Sequence, residues 1–289
     1  MRYADNLLLN LYYYGSQPLR RWRNACRSLA GRAPVIVLFY HRIAEDRANA
    51  WTTSPRVFAR HIRWLKKHFD MVSLAEAQQR IKGPRNERPA VSITFDDGYA
   101  DNCRFALPLL LGQRIPVTYF VSTAHVLEGL PFLHDLKRGK TLAPNTPQEI
   151  RTLAEHGVEI GAHTRTHANL GRIRDSERLW YELAGGKEDL ERLTGKPVRY
   201  FAFPFGQHSS LNRDAFRLAR DCGYEAVCSA YGGYNFPGDD SFHLQRIHAD
   251  NDMIRLKNWM TVDPRKVKQL RRFAYESAGP SVVAGAANS

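Results

Sequence analysis

From Pro34 onward one pattern recurs: a short apolar run rich in β-branched and aromatic residues, a turn, then an amphipathic stretch. Parallel strands need a long crossover, usually a helix, so this alternation predicts βα units around a parallel sheet. Pro34–Tyr40 (PVIVLFY) reads as the first buried strand, followed by Ala90–Phe95, Val117–Val121, Val158–Ala162, Tyr200–Phe203, Ala226–Ser229 and Leu244–Ile247. Between them, Ser54-Pro55 opens a helix whose Val57, Phe58, Ile62 and Leu65 keep the 3.6-residue period. Ser73 and Glu76 have the spacing of a capping box for a short helix ending near Gly83. Further helices are expected at Tyr99–Leu111, Gln148–Glu155, Ser176–Leu193 and Leu211–Cys222. No fixed-period repeat and no long Pro/Gly-rich linker divides this body, so the expectation is an α/β fold with one barrel-like domain over residues 33–260.

Polar residues of chemical interest fall just past those runs: His41-Arg42, Asp96-Asp97-Gly98, His163-Thr164-Arg165-Thr166-His167, Phe205-Gly206 and His248. In a βα barrel the C-terminal strand ends form one face, which is where such folds build active sites. Asp-Asp-Gly alone suits a simple turn. Two adjacent carboxylates in a cleft repel, however, and a divalent cation is the usual way to keep both ionised. The H-x₃-H pair offers two neutral imidazoles, common zinc ligands, and two His with one carboxylate leave positions open for water and substrate. The same set suits a non-haem iron(II) site; the second carboxylate favours hydrolysis, which needs a base. With Asp97 as ligand, Asp96 is free to act as base for a metal-activated water and His248 as acid on the leaving amine. Phe203-Pro204-Phe205-Gly206 either ends a strand or aims the Phe205 N–H at a developing oxyanion.

The 289 residues, 43% of them hydrophobic, are enough for a large core and exclude a disordered, collagenous or coiled-coil chain. The four cysteines lack C-x-x-C spacing and are expected to be reduced thiols. The net charge of +13 sits at the ends: residues 1–32 hold six Arg against one acid, and 255–289 seven Lys and Arg against two acids. The basic segment 1–32, with Tyr12, Tyr13, Tyr14, Arg20, Arg21, Trp22 and Arg23, either contacts an anionic membrane surface or is a solvated helix; nucleic-acid binding would rest on charge alone. Its apolar stretch is short and contains an Asn, which reads as neither signal peptide nor spanning helix. A cytoplasmic or inner-membrane-peripheral location is therefore expected, with 261–289 forming a C-terminal helix and a flexible tail at Ser277–Ser289.

Taken together, these residues resemble the polysaccharide deacetylase family, the NodB homology domain of carbohydrate esterase family 4, over most of residues 34–250. The T-F-D-D-G of Thr94–Gly98 and the H-[ST]-x-x-H of His163–His167 carry the resemblance, and VLFYHRI at Val37–Ile43 looks like the opening strand of members acting on exopolysaccharides. It implies a distorted (β/α)₇ barrel, Asp96 as base, and Asp97, His163 and His167 around zinc or a similar divalent ion. It further implies an oxyanion contact from the Phe205 N–H, His248 as acid, and an N-acetylated glycan substrate losing acetyl groups from N-acetylhexosamine units. His41 and Tyr99 are the candidate substrate-binding residues. The third motif, Ala202-Phe203-Pro204-Phe205, departs from the usual R-x-P-Y in lacking Arg, so the side chain that orients Asp96 must come from elsewhere, Arg199 or another.

Overall fold

The computed structural model describes residues 2–269 and 272–275. Its strands are β1 (Val35–Tyr40), β2 (Arg42–Ile43), β3 (Thr52–Thr53), β4 (Asp70–Met71), β5 (Ala90–Phe95), β6 (Val117–Val121), β7 (Glu159–Ala162), β8 (Tyr200–Ala202), β9 (Ala226–Cys228), β10 (His243–Leu244) and β11 (Arg246–His248). The helices are α1 (Arg2–Leu29), α2 (Pro55–His68), α3 (Leu74–Lys82), α4 (Ala106–Gly112), α5 (Thr123–Glu128), α6 (Leu133–Leu136), α7 (Pro147–Glu155), α8 (Ser176–Thr194), α9 (Arg213–Asp221), α10 (Met253–Met260) and α11 (Pro264–Gln269).

The main sheet is wholly parallel, in the order β10-β9-β8-β7-β6-β5-β1-β11, with β4 on the first residues of β5. β10 and β11 are two halves of one extended run parted at Gln245. The first half pairs with β9 and the second with β1, so the chain closes a barrel of seven staves, as expected of a distorted (β/α)₇ fold. Buried Asn235 seals the seam. Its side-chain oxygen accepts the Gln245 N–H (2.9 Å), and its amide donates to the carbonyls of Gln245 (2.9 Å) and Val35 (3.2 Å). Its own carbonyl takes the Val35 N–H (2.9 Å), so backbone groups that the break would orphan are paired.

Strand periodicity divides the core in two. Val35 and Val37 of β1 join Phe120, Tyr200, Ala202, Cys228 and Leu244 inside the barrel, while Ile36, Leu38 and Tyr40 face the surrounding helices. Leu74, Ala77 and Ile81 of α3 belong to the inner cluster, so α3 plugs the N-terminal end of the barrel and leaves the other end as the mouth.

Local departures from the sequence pattern have identifiable causes. The expected helix Tyr99–Leu111 splits into a 3₁₀ turn at Ala100–Cys103 and α4, because Asn102 and Asp101 turn back to the exit of β1. Asn102 accepts the Ile43 N–H (2.9 Å) and donates to the His41 carbonyl (2.7 Å), and Asp101 pairs with buried Arg42. Ser73 caps α3 by accepting the Glu76 N–H, but the Glu76 carboxylate binds Arg80, so only half the box forms; the reciprocal box is at Thr146 and Glu149. The N-terminal helix α1 lies along α10, with Tyr12 donating to Asp263 (2.9 Å) and Arg20 to the Asn258 carbonyl (3.1 Å). Among the described residues no helix is long and apolar enough to cross a membrane, and all four cysteines are free thiols. The tail Ser277–Ser289 lies outside the described residues.

Candidate active site

Two three-residue turns of the same kind shape the mouth. At the end of β5 the Gly98 N–H donates to the Asp96 carbonyl (3.0 Å), leaving Asp97 at the centre with φ 76°. Past β8 the Gly206 N–H donates to the Pro204 carbonyl (2.7 Å), leaving Phe205 at the centre with φ 64°. Thr164 (φ 58°) and His167 (φ 56°) add two more left-handed positions, so four of the seven non-glycine residues with positive φ among the described residues lie on this rim. Such conformations cost on the order of 1–3 kcal/mol each and persist only where the surroundings over-determine them.

For the loop His163–His167, α8 supplies that determination. The Glu182 carbonyl takes the Arg165 N–H (3.0 Å), and its buried carboxylate accepts the Thr166 N–H (2.9 Å) and hydroxyl (2.7 Å). Asp189 binds the Arg165 guanidinium through two bonds of 2.7 and 2.9 Å. Gly186 permits this approach, since a Cβ there would meet the Arg165 nitrogen at 3.2 Å and the Thr164 carbonyl carbon at 3.3 Å.

The loop thereby sets His163 and His167 against Asp97. Their Nε2 atoms lie 3.4 and 3.2 Å from Asp97 Oδ1, and one donor atom from each of the three residues fits within 4.8 Å of the others. His163 Nδ1 donates to the Ala202 carbonyl (2.8 Å), which leaves the Nε2 lone pair facing the cluster. Asp97 Oδ1 is buried and has no hydrogen-bond partner among the described residues, although burial of an ionised carboxylate demands one. Two imidazole nitrogens and an orphaned carboxylate oxygen converging on one point are a donor set that fits a divalent cation.

Asp96, the other half of the pair, points elsewhere. Arg246 of β11 binds it through two bonds, Nη1 to Oδ1 at 2.6 Å and Nη2 to Oδ2 at 2.9 Å, and both side chains are buried. Arg246 is itself held by the Ser229 carbonyl (3.0 Å) and lies over the rings of Phe39 and Phe120. Burial pushes the Asp96 carboxyl up, but the Arg246 charge and the His163 imidazole outweigh it and hold the group below its ordinary range. Arg199, the other candidate for this part, pairs with Glu159 and Glu225 outside the barrel. The signal for Arg246 was its place two residues before His248 on one strand, which puts both on the same face.

His248 and His41 come together, with ring centroids 6.1 Å apart, and Trp51 closes the group at 4.7 Å from His41 and 5.3 Å from His248. Trp51 is carried by the loop that Arg42 anchors through Asp46 and Thr52. Burial lowers both imidazoles, His248 to about 4, so both are neutral near pH 7. Asp96 and Asp97 both act on His41, with Asp97 the stronger, whereas of the two only Asp96 registers on His248. Phe205 is exposed, its ring 5.2 Å from His167, and its N–H is without a partner among the described residues. Tyr99 is fully buried beneath the rim and donates its hydroxyl to Asp135 (2.6 Å), so it supports the wall rather than presenting a surface to a ligand. His134, which sequence pattern did not single out, sits between this network and the cluster, 3.0 Å from the Tyr99 hydroxyl and with its ring 5.7 Å from that of His167.

Comparison with known proteins agrees with this architecture. The family model described as polysaccharide deacetylase matches residues 83–227, half of the chain. A putative polysaccharide deacetylase, YxkH, of Bacillus subtilis is 23% identical over 76% of this chain and 73% of its own. The poly-beta-1,6-N-acetyl-D-glucosamine N-deacetylase of Staphylococcus aureus is 25% identical over 78% and 82%. Among solved structures, IcaB from Ammonifex degensii superposes with a TM-score of 0.66 at 23% identity, covering 79% of this chain and 97% of that one. A de-N-acetylase from Aggregatibacter actinomycetemcomitans gives 0.64 at 21%, covering 78% and 99%. With the matched segment running from before T-F-D-D-G to beyond Phe205, the chain belongs to the polysaccharide deacetylase family.

Proposed function

We propose that the protein is a metal-dependent hydrolase that removes N-acetyl groups from N-acetylhexosamine units of a polysaccharide or glycan precursor. The observation that carries this reading is the pairing of an orphaned, buried Asp97 Oδ1 facing His163 and His167 with a second carboxylate, Asp96, fixed beside it by Arg246. Asp97, His163 and His167 would hold the cation, most suitably Zn²⁺ given two imidazoles and one carboxylate. When bound it would act as a Lewis acid and favour ionisation of water.

The remaining work falls to the chain. Asp96, held ionised by Arg246, accepts a proton from the attacking water. The unpartnered Phe205 N–H, fixed by its turn, donates to the oxyanion that forms on the acetyl carbonyl. The departing amine nitrogen needs a proton, and the His41–His248 pair on the same rim passes it the one that Asp96 took; the water's other proton stays on the acyl product, which leaves as acetic acid and ionises in solution, beside the free amino sugar. In the sequence reading His248 gives up this proton; His41, which both carboxylates face, is the competing donor. His41 and Trp51 offer the surface against which a sugar ring would lie. The catalytic unit in this reading is the barrel of residues 33–260, with 1–32 and 261–289 outside it.

The S. aureus relative's substrate makes poly-β-1,6-N-acetylglucosamine oligomers the first compounds to test, beside other N-acetylated oligosaccharides and O-acetyl esters. Acetate release should be abolished by a chelator and restored by zinc. Alanine at Asp97, His163 or His167 should remove bound metal and activity together, read by elemental analysis and acetate release. An enzyme that keeps both after any of these changes contradicts the ligand set. Metal binding without release from any acetylated compound would leave a glycan-binding barrel instead.

A further inference from the structure

The helix α1 is mounted with its polar face toward the protein. Tyr12, Arg20 and Asn24 point at α10 and the segment after it, where they bond Asp263, the Asn258 carbonyl and the Thr261 carbonyl. The opposite face carries Leu7, Leu8, Leu11, Tyr14 and Trp22, each 61–65% exposed, with Leu19 half exposed. Their spacing follows the helical period, so they form one apolar ridge along the outside of the barrel. Isolated exposed apolar residues are ordinary, whereas a contiguous row is a contact surface.

The flanks of the ridge are basic. Arg21 and Arg23 are exposed to either side of Trp22. The neighbouring helix α2 contains no acid, and its outer row Arg56, Arg60, Arg63 and Lys67 is exposed. Arg60 shares a cleft with Tyr14, and Arg21 shares the next with Trp64 of α2, which places Arg60 alongside the ridge, while Arg63 and Lys67 continue the basic surface over α2 toward α4. None of these six cations has an ion-pair partner among the described residues. The acids beside α1 are engaged: Asp252 caps α10, and Asp263 pairs with Arg20 and Arg265.

We propose that this face docks on an anionic lipid bilayer, with α1 lying flat in the interface. A convex apolar ridge edged by Arg and bearing Tyr and Trp suits the headgroup boundary, where apolar side chains enter the acyl region and guanidinium groups reach lipid phosphates. Polar contacts to the barrel keep α1 on the surface and oppose a spanning pose. A second copy of the chain is disfavoured because two such faces would oppose their rows of like charge. Asn10 and Tyr14 border Asn251–Ile254 at the mouth end, while Arg21 and Ser28 border Pro34 and Pro89 at the plugged end. A barrel docked this way lies on its side, and its mouth opens along the membrane plane.

The test is cosedimentation of the full chain with phosphatidylcholine vesicles, with and without phosphatidylglycerol. Partition onto the anionic vesicles should exceed that onto neutral ones at least ten-fold and weaken steeply as salt rises above about 0.1 M. L11E/W22E and, separately, R60E/R63E should each lower it at least ten-fold, with melting temperature and acetate release from a soluble oligosaccharide unchanged. That release is independent of the docking claim, so failure of either leaves the other standing. Absence of partition onto anionic vesicles, or partition unaltered in L11E/W22E, overturns the proposal. So does a soluble dimer that L11E/W22E converts to monomer without any vesicle binding, which would give the ridge to a second copy.

Discussion

Replacing Arg246 by Met removes a guanidinium whose two bonds to Asp96, at 2.6 and 2.9 Å, are both buried. Met retains apolar contact with Phe39 and Phe120 but leaves an ionised carboxylate in the barrel with no cation opposite. Breaking one side of such a pair costs roughly 3–5 kcal/mol, most of it from the charge left behind rather than from the bonds lost. At roughly 2–4 °C per kcal/mol for a domain of this size, the melting temperature should fall by roughly 6–20 °C. The double variant R246M/D96N removes both charges and should recover a large part of the loss, giving a coupling energy of at least about 2 kcal/mol in a urea-denaturation cycle. Without the guanidinium, burial acts on Asp96 against the neighbouring imidazoles alone and raises its pKa, so the acid limb of kcat/KM for acetate release should move to higher pH. R246M within about 1 kcal/mol of wild type, or a double variant no more stable than the sum of the single losses, would refute this account of the pair.

Other changes probe separate parts of the argument. Of H41A and H248A, the one that removes the proton donor should lower kcat by about 10²–10⁴-fold in acetate release, and the other should chiefly alter KM; equal, small effects would remove the pair from proton delivery. G206A places a Cβ 2.5 Å from that of Ala230 at φ 57° and should cost more than about 1 kcal/mol by thermal or urea unfolding; an unperturbed variant would mean the turn is not confined. Burial lowers His243 to about 4 from an ordinary 6.5, so the native state resists its protonation. Stability from this group is complete above about pH 6.5 and declines toward pH 4, by about 2 kcal/mol at pH 5. H243Q should flatten the dependence of urea midpoint on pH between those limits, and an unchanged slope would place the acid sensitivity elsewhere.

The main strands were legible because buried parallel strands are continuous apolar runs, and PVIVLFY or VSITF admits little else. The positions of Asp96, Asp97, His163, His167 and His248 relative to those runs were enough to gather them on one rim. What escaped was set by contacts between distant elements. Arg246 is an unremarked base on a strand until β5 and β11 are placed on either side of β1. Glu182 is an acid among Leu179, Leu183 and Leu190, a misfit whose purpose is visible only when the loop His163–His167 lies against α8. Tyr99 follows the Gly of a site motif, yet the turn at Asp97 sends it inward to Asp135. Nor could local pattern show which side of α1 meets the barrel, since polar contacts with α10 win over burial of its leucines.

Closure of the barrel has a kinetic corollary. β1 and β11 are joined in register from Val37 and Arg246 to Phe39 and His248, a contact that spans some two hundred residues and must wait for most of the chain. The stave that completes the wall also brings Arg246 to Asp96 and His248 to the mouth. A nascent chain of about 240 residues would already possess Asp97, His163 and His167 while its second carboxylate had no guanidinium. Gain of hydrolytic competence during refolding should therefore lag formation of the Asp97–His163–His167 cluster, and enzyme activity becomes a reporter of the final circumferential contact.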